Sequence, residues 1–119
     1  MVSESDLQAG LLAHARWKRR LLDAVKTGSS EFDPIQVSSA DKCEFGQWLH
    51  SLPASDRDNE HYRKVTQLHN DFHKAAGEIL RLALKGETEK ATELLEYGGP
   101  YSHASGKLVL AMQRWKSSL

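Results

Sequence analysis

Apolar residues recur three or four positions apart through three long stretches of this chain and almost nowhere alternate, which confines it to packed amphipathic helices. The first stretch, Ser5 to about Lys26, carries Leu7, Leu11, His14, Trp17, Leu21 and Val25 on one stripe, and Gly28 ends it. The second, about Arg57 to Leu84, presents Tyr62, Val65, His69, Phe72, Ala76, Ile79 and Ala83, and stops at Lys85-Gly86. The third, Thr88 to near Ser117, places Leu94, Gly98, Tyr101, Ser105, Leu108, Met112 and Trp115 inward. It is interrupted by "YGGPY", where Pro100 is expected to kink or restart the helix, and where Gly98 and Ser105 are expected to let a neighbouring helix approach. At 119 residues the chain is long enough for one modest core. The expected fold is all-α, a single domain over residues 1–119 built as an antiparallel four-helix-bundle-like unit with an additional short helix.

That short helix is predicted from about Lys42 to Ser51, with Asp41 as N-cap and Glu44 three residues on in a capping-box relation. Before it, "TGSSEFDPIQVSSA" reads as a loop longer than most connections, and "LPASD" breaks the chain after it. The only cysteine, Cys43, lies in this segment, within "DKCEFGQWLHSL".

Three of the six histidines stand in the apolar stripes, where Leu or Val is expected. His69 and His73 are four apart, about 40° from one another around the axis, a spacing that lets two imidazoles on one helix grip one ion. His14 occupies a stripe position of the first helix. A single core histidine is usually satisfied by a neighbouring hydroxyl or carbonyl, but burying three without a shared partner costs on the order of 1–3 kcal/mol each, and a common metal ion removes that cost. Cys43 completes a set of four: at the start of the short helix, free amides and the helix dipole favour its thiolate. An ideal helix, however, points Cys43 about 160° away from the centre of the Phe45, Trp48, Leu49, Leu52 face. Gly46, on the side of Cys43, is expected to resolve this by letting that side press against the helices that carry the histidines. His50, His61 and His103 sit at helix ends or beside the kink, where surface and capping roles are expected.

Imidazole and thiolate donors suit zinc or copper rather than magnesium or manganese. Four protein ligands fill a tetrahedral zinc and leave no place for an activated water, so an enzyme is not expected. A di-iron protein needs paired Glu-x-x-His motifs, and the nearest here is Asp58-x-x-His61. A metal-free thiol enzyme using Cys43, and a structural zinc bundle that serves as a dimerisation module, draw on the same residues and remain as alternatives. With 16 basic and 16 acidic residues, nucleic acid is not an expected partner. No run approaches a membrane span and the N-terminus lacks the regions of a signal peptide, so the expected location is the cytoplasm, which agrees with a single unpaired cysteine.

These motifs resemble the chemoreceptor zinc-binding domains of bacteria. The likeness rests on "HARW" in the first helix, "CEFGQWL", the paired "HNDFHKAA", and "YSHAS" near the end, and it spans His14 to about Leu110. The resemblance implies zinc ligated by His14, Cys43, His69 and His73, a homodimer, and a cytoplasmic sensory role answering zinc or hypochlorous acid. It implies as partner a chemoreceptor or diguanylate cyclase module, in cis or trans, and thus control of chemotaxis or of cyclic-di-GMP signalling.

Overall fold

The computed structural model describes residues 2–96 and 98–119. Among them there are helices and no strand: α1 (Glu4–Thr27), α2 (Pro34–Ser38), α3 (Glu44–Ser51), α4 (Ala54–Arg57), α5 (Glu60–Leu84), α6 (Thr88–Leu95) and α7 (Pro100–Ser117), with a 3-10 turn at Ala40–Lys42. The chain is all-α, as its periodicity predicts.

α1 begins where Ser3 and Asp6 cap each other and ends at Gly28, and it buries Leu7, Gly10, His14, Trp17, Leu21 and Ala24 along one side. α5 begins behind Asn59, whose side chain accepts from the His61 amide. Its buried residues include Val65, His69, Phe72, His73, Ala76, Ile79 and Leu80. α7 contributes Tyr101, Leu108, Ala111, Met112 and Trp115.

α7 runs antiparallel to both long partners. Lys116 Nζ donates to Gln8 Oε1 at 2.8 Å while Met112 lies against Gly10, and along α5 Trp115 meets Tyr62 where Tyr101 meets Phe72. α1 and α5 run the same way, since His14 faces His69 and Trp17 faces His73. Two helices can do so only with a long crossover between them, and the segment between α1 and α5, with α2, α3 and α4, is that crossover.

Several local expectations are corrected. The segment read as loop holds α2, because Pro34 at the first helical position and the Asp33 side chain, accepting from the Ile35 amide, start a helical turn. The "LPASD" break holds α4. At Pro100, where a kink or a restart was expected, the structure has the restart, so the third stretch is two helices, α6 and α7; Tyr97, within "YGGPY", lies outside the described residues. Gly98 serves the turn, with φ +87, and an added Cβ would meet nothing within 4 Å, so no helix approaches there. In α6 the buried positions are Ala91 and Leu95, with Leu94 and Ser105 of α7 half-buried.

Candidate metal centre

α1, α5 and the crossover meet around one point. His14 on α1 and His69 and His73 on α5 are buried, at 4%, 1% and 1% exposure, and Cys43 is half-buried beside them. One ligand atom from each of the four lies within 4.8 Å of the others. His69 Nε2 stands at the middle, 3.0 Å from His14 Nε2, 3.0 Å from His73 Nε2 and 3.3 Å from Cys43 Sγ. A tetrahedral zinc, with bonds of about 2.0–2.1 Å to nitrogen and about 2.3 Å to sulfur, spaces its ligand atoms about 3.3–3.6 Å apart, a value that the separations here, from 3.0 Å to no more than 4.8 Å, bracket.

Proton bookkeeping makes the same case. His14 Nδ1 lies 2.7 Å from the Gly10 carbonyl and His73 Nδ1 lies 2.9 Å from the Val37 carbonyl. A carbonyl only accepts, so both Nδ1 atoms carry the proton and both Nε2 atoms turn lone pairs inward. A proton on His69 Nε2 can satisfy one of its neighbours, not His14, His73 and the sulfur together. A cation at the centre satisfies them all, and the two carbonyls then act as the outer contacts that fix ring orientation around a metal.

Burial lowers His14 to about 4, despite its bond to the Gly10 carbonyl, and lowers His69 to about 2, with His73 and His14 adding to the effect; His73 is lowered too. All three imidazoles are therefore neutral, the ligating form, at neutral pH. For Cys43, burial pushes the thiol up, and the amides of Gly46, Phe45 and Cys43 itself pull the other way with less effect. The expectation that free amides hold a thiolate is corrected to this extent: desolvation outweighs them, and deprotonation at neutral pH calls for a cation among the four residues.

Cys43 is not in the first turn of the short helix, and Asp41 is not its cap. Cys43 is itself the N-cap of α3, in extended conformation (φ −91°, ψ 157°), and its Sγ accepts from the Gly46 amide at 3.3 Å. The opposition between the Cys43 side and the apolar side of the helix disappears, because an N-cap side chain lies outside the helical wheel. Phe45 and Leu49 face the core while the sulfur turns to the histidines. Gly46 also has a different task from the one expected. An added Cβ would lie 1.9 Å from the Ala40 carbonyl oxygen, so its missing side chain admits the 3-10 turn just before it, not the histidine helices.

Aromatic rings wall the centre. His14 stands edge-on to Phe45 at 5.3 Å and to Phe72 at 5.1 Å, and Phe45 continues through Trp48 to Trp115. On one side an open cleft of about 460 Å³ reaches His14, Cys43 and His73 past Trp17, Phe32 and Lys42. His50 and His103 are exposed and His61 half-buried, and none of the three joins the cluster. Sequence reasoning did not name the Gly10 and Val37 carbonyls. Gly10 was open to discovery as the residue one turn before His14, whereas Val37 had no signal, since every residue has a carbonyl.

Among the described residues no helix is long and apolar enough to cross a membrane. The comparison with curated proteins found no match, and neither did the comparison with solved structures. The family of the chemoreceptor zinc-binding domain matches residues 14–80, more than half of the chain and a span that includes all four clustered residues, while "YSHAS" lies beyond it. With three neutral imidazoles and one sulfur gathered within 4.8 Å of one another inside that match, the chain belongs to the chemoreceptor zinc-binding domain family, a zinc-binding signalling domain.

Proposed function

We propose that His14, Cys43, His69 and His73 are the zinc ligands, and that the domain is a sensor whose Cys43 thiolate is the ligand that responds. The observation that carries this reading is the contrast in how the four are held. The histidines are buried on two long helices, whereas Cys43 is half-buried and caps an eight-residue helix, beside a cleft that also reaches His14 and His73. A change of zinc supply empties the site. An oxidant reaches the sulfur: with hypochlorous acid the thiolate takes up the oxygen and its proton, two electrons pass to chlorine, chloride leaves, and the resulting sulfenic acid is a weaker ligand. Either event releases α3 while α1 and α5 keep their packing, and a partner that reads docked α3 loses its surface. The output is control of chemotaxis or cyclic-di-GMP signalling, through a chemoreceptor or diguanylate cyclase module, with the domain acting as a homodimer in the cytoplasm. Catalysis is not part of this reading, since four protein ligands leave zinc no open position and a thiol raised by burial is a poor nucleophile.

Two measurements test it. Zinc content after dialysis should fall in His69→Ala and His73→Ala and stay stoichiometric in His50→Ala, His61→Ala and His103→Ala; full occupancy in the first pair would refute the ligand set. Cys43→Ser, or brief oxidant treatment, should leave helicity nearly intact and speed amide exchange mainly between residues 43 and 52. A uniform rise across all helices would instead favour a structural zinc bundle.

A further inference from the structure

The metal centre is braced by α2, a segment that supplies no ligand. His73 Nδ1 donates to the carbonyl of Val37, thirty-six positions earlier in the chain. That carbonyl can reach α5 only because of what stands one turn beyond His73. Residue 77 is glycine, and a Cβ there would lie 1.9 Å from Ser38 Oγ, 2.9 Å from Ser38 Cβ and 3.0 Å from the Pro34 carbonyl oxygen. Ser38 is not free to swing aside, because its hydroxyl donates to that same Pro34 carbonyl at 2.8 Å. Val37 itself is buried, and its amide donates to the Asp33 carbonyl at 2.9 Å. His73 and Gly77 share a face of α5 at i, i+4, so one docking event seats α2 on the glycine and sets its carbonyl on the imidazole.

We propose that Gly77 and Ser38 are positioning residues of the metal centre: by seating α2 against α5 they hold the Val37 carbonyl where it fixes the His73 tautomer and turns Nε2 inward. Metal binding and α2 docking then favour each other, as any two coupled equilibria must. The crossover is held at two separate places, α3 through the Cys43 sulfur and α2 through His73. Loss of the thiolate bond frees α3 and leaves α2 seated. This inference rests on the four-residue zinc site proposed above.

The full-length chain carrying Gly77→Ala tests it. Alanine is the better helix former, so α5 itself is not weakened. Zinc affinity, measured by competition with a chromophoric chelator, should drop roughly 10–100-fold, the usual loss when an outer contact to a ligating histidine is removed. The nitrogen chemical shifts of His73 should move away from the Nδ1-protonated pattern, a readout that a general loss of stability would not produce. Adding Ser38→Gly, which removes two of the three atoms in the way, should restore part of both. In the unaltered protein, zinc should slow amide exchange at Val37 and Ser39, which covers the case in which the alanine variant does not fold. Unchanged affinity and tautomer in Gly77→Ala would overturn the role of α2, as would exchange at Val37 and Ser39 that ignores zinc, while His73→Ala still abolishing binding would leave the ligand set standing. An unaltered protein that binds no zinc would overturn the ligand set and this inference together.

Discussion

A neutral imidazole and a protonated thiol meet a metal ion on different terms, and the pH dependence of binding reports the difference. Burial holds His14 near 4 and His69 near 2, so these two have no proton to lose between pH 6 and 8, and it lowers His73 as well. The Cys43 thiol, raised by burial above its ordinary value of 9.0, has one. Zinc affinity should therefore weaken about tenfold for each unit of pH lost between roughly pH 8 and 6, a dependence measurable by chelator competition across that range. A slope of two protons or more would mean that a histidine is protonated as well. Zinc-free protein should respond in a lower window. Its histidines are harder to protonate folded than unfolded, at an ordinary 6.5, so the unfolded chain binds more protons below about 6.5 and stability falls as the pH drops from there toward 4.

Among the elements, α3 depends on a backbone approach that has no slack. The ideal Cβ of Gly46 falls 1.9 Å from the Ala40 carbonyl oxygen and 2.9 Å from its carbon, and a main-chain carbonyl cannot rotate away as a side-chain tip can. Gly46→Ala should therefore push α3 off the 3-10 turn and carry the capping Cys43 with it. A loss of about 1–3 kcal/mol in urea unfolding is expected, together with weaker zinc binding and a shift in tryptophan emission as Trp48 leaves Trp115. Unchanged stability would show that the turn and helix can separate at no cost. The "CEFGQWL" stretch thus joins a cap, a close approach and two core anchors within a few residues, which explains why so short a segment can be specific.

Across the whole molecule, the aromatic chain from Phe45 through Trp48 to Trp115 and Tyr62 ties the metal centre to the far end of α7. Trp115, on the inward stripe of its helix, is 1% exposed inside its own fold, because antiparallel packing brings that end of α7 beside the start of α5. Trp115→Ala should cost about 3–5 kcal/mol of stability in thermal or urea unfolding. If the homodimer forms, it has to use other surface: Leu12, Leu22, Leu110 and Leu119 are the large apolar side chains on α1, α7 and the C-terminus that remain exposed. Sedimentation of Trp115→Ala under native conditions should then show the same mass as the unaltered protein, whereas a shift to a smaller species would put Trp115 at an interface.

The sequence by itself determined the two longest helices, α1 and α5, and the four residues that cluster at the centre. Helical periodicity is local, so a stripe of Leu, Val and Phe announces the buried side of α1 and α5, and a histidine inside such a stripe stands out because its burial needs a partner. The same locality explains what stayed hidden. That Cys43 is a cap and not a first-turn residue, that Gly46 and Gly77 admit neighbouring backbone, and that the Val37 carbonyl orients His73 all depend on how the crossover lies on α5. Carbonyls belong to every residue, and a glycine gives no sign of what will approach it. Only the tertiary packing of α2 and α3 decided those contacts, and with them which parts of the fold a zinc ion can hold.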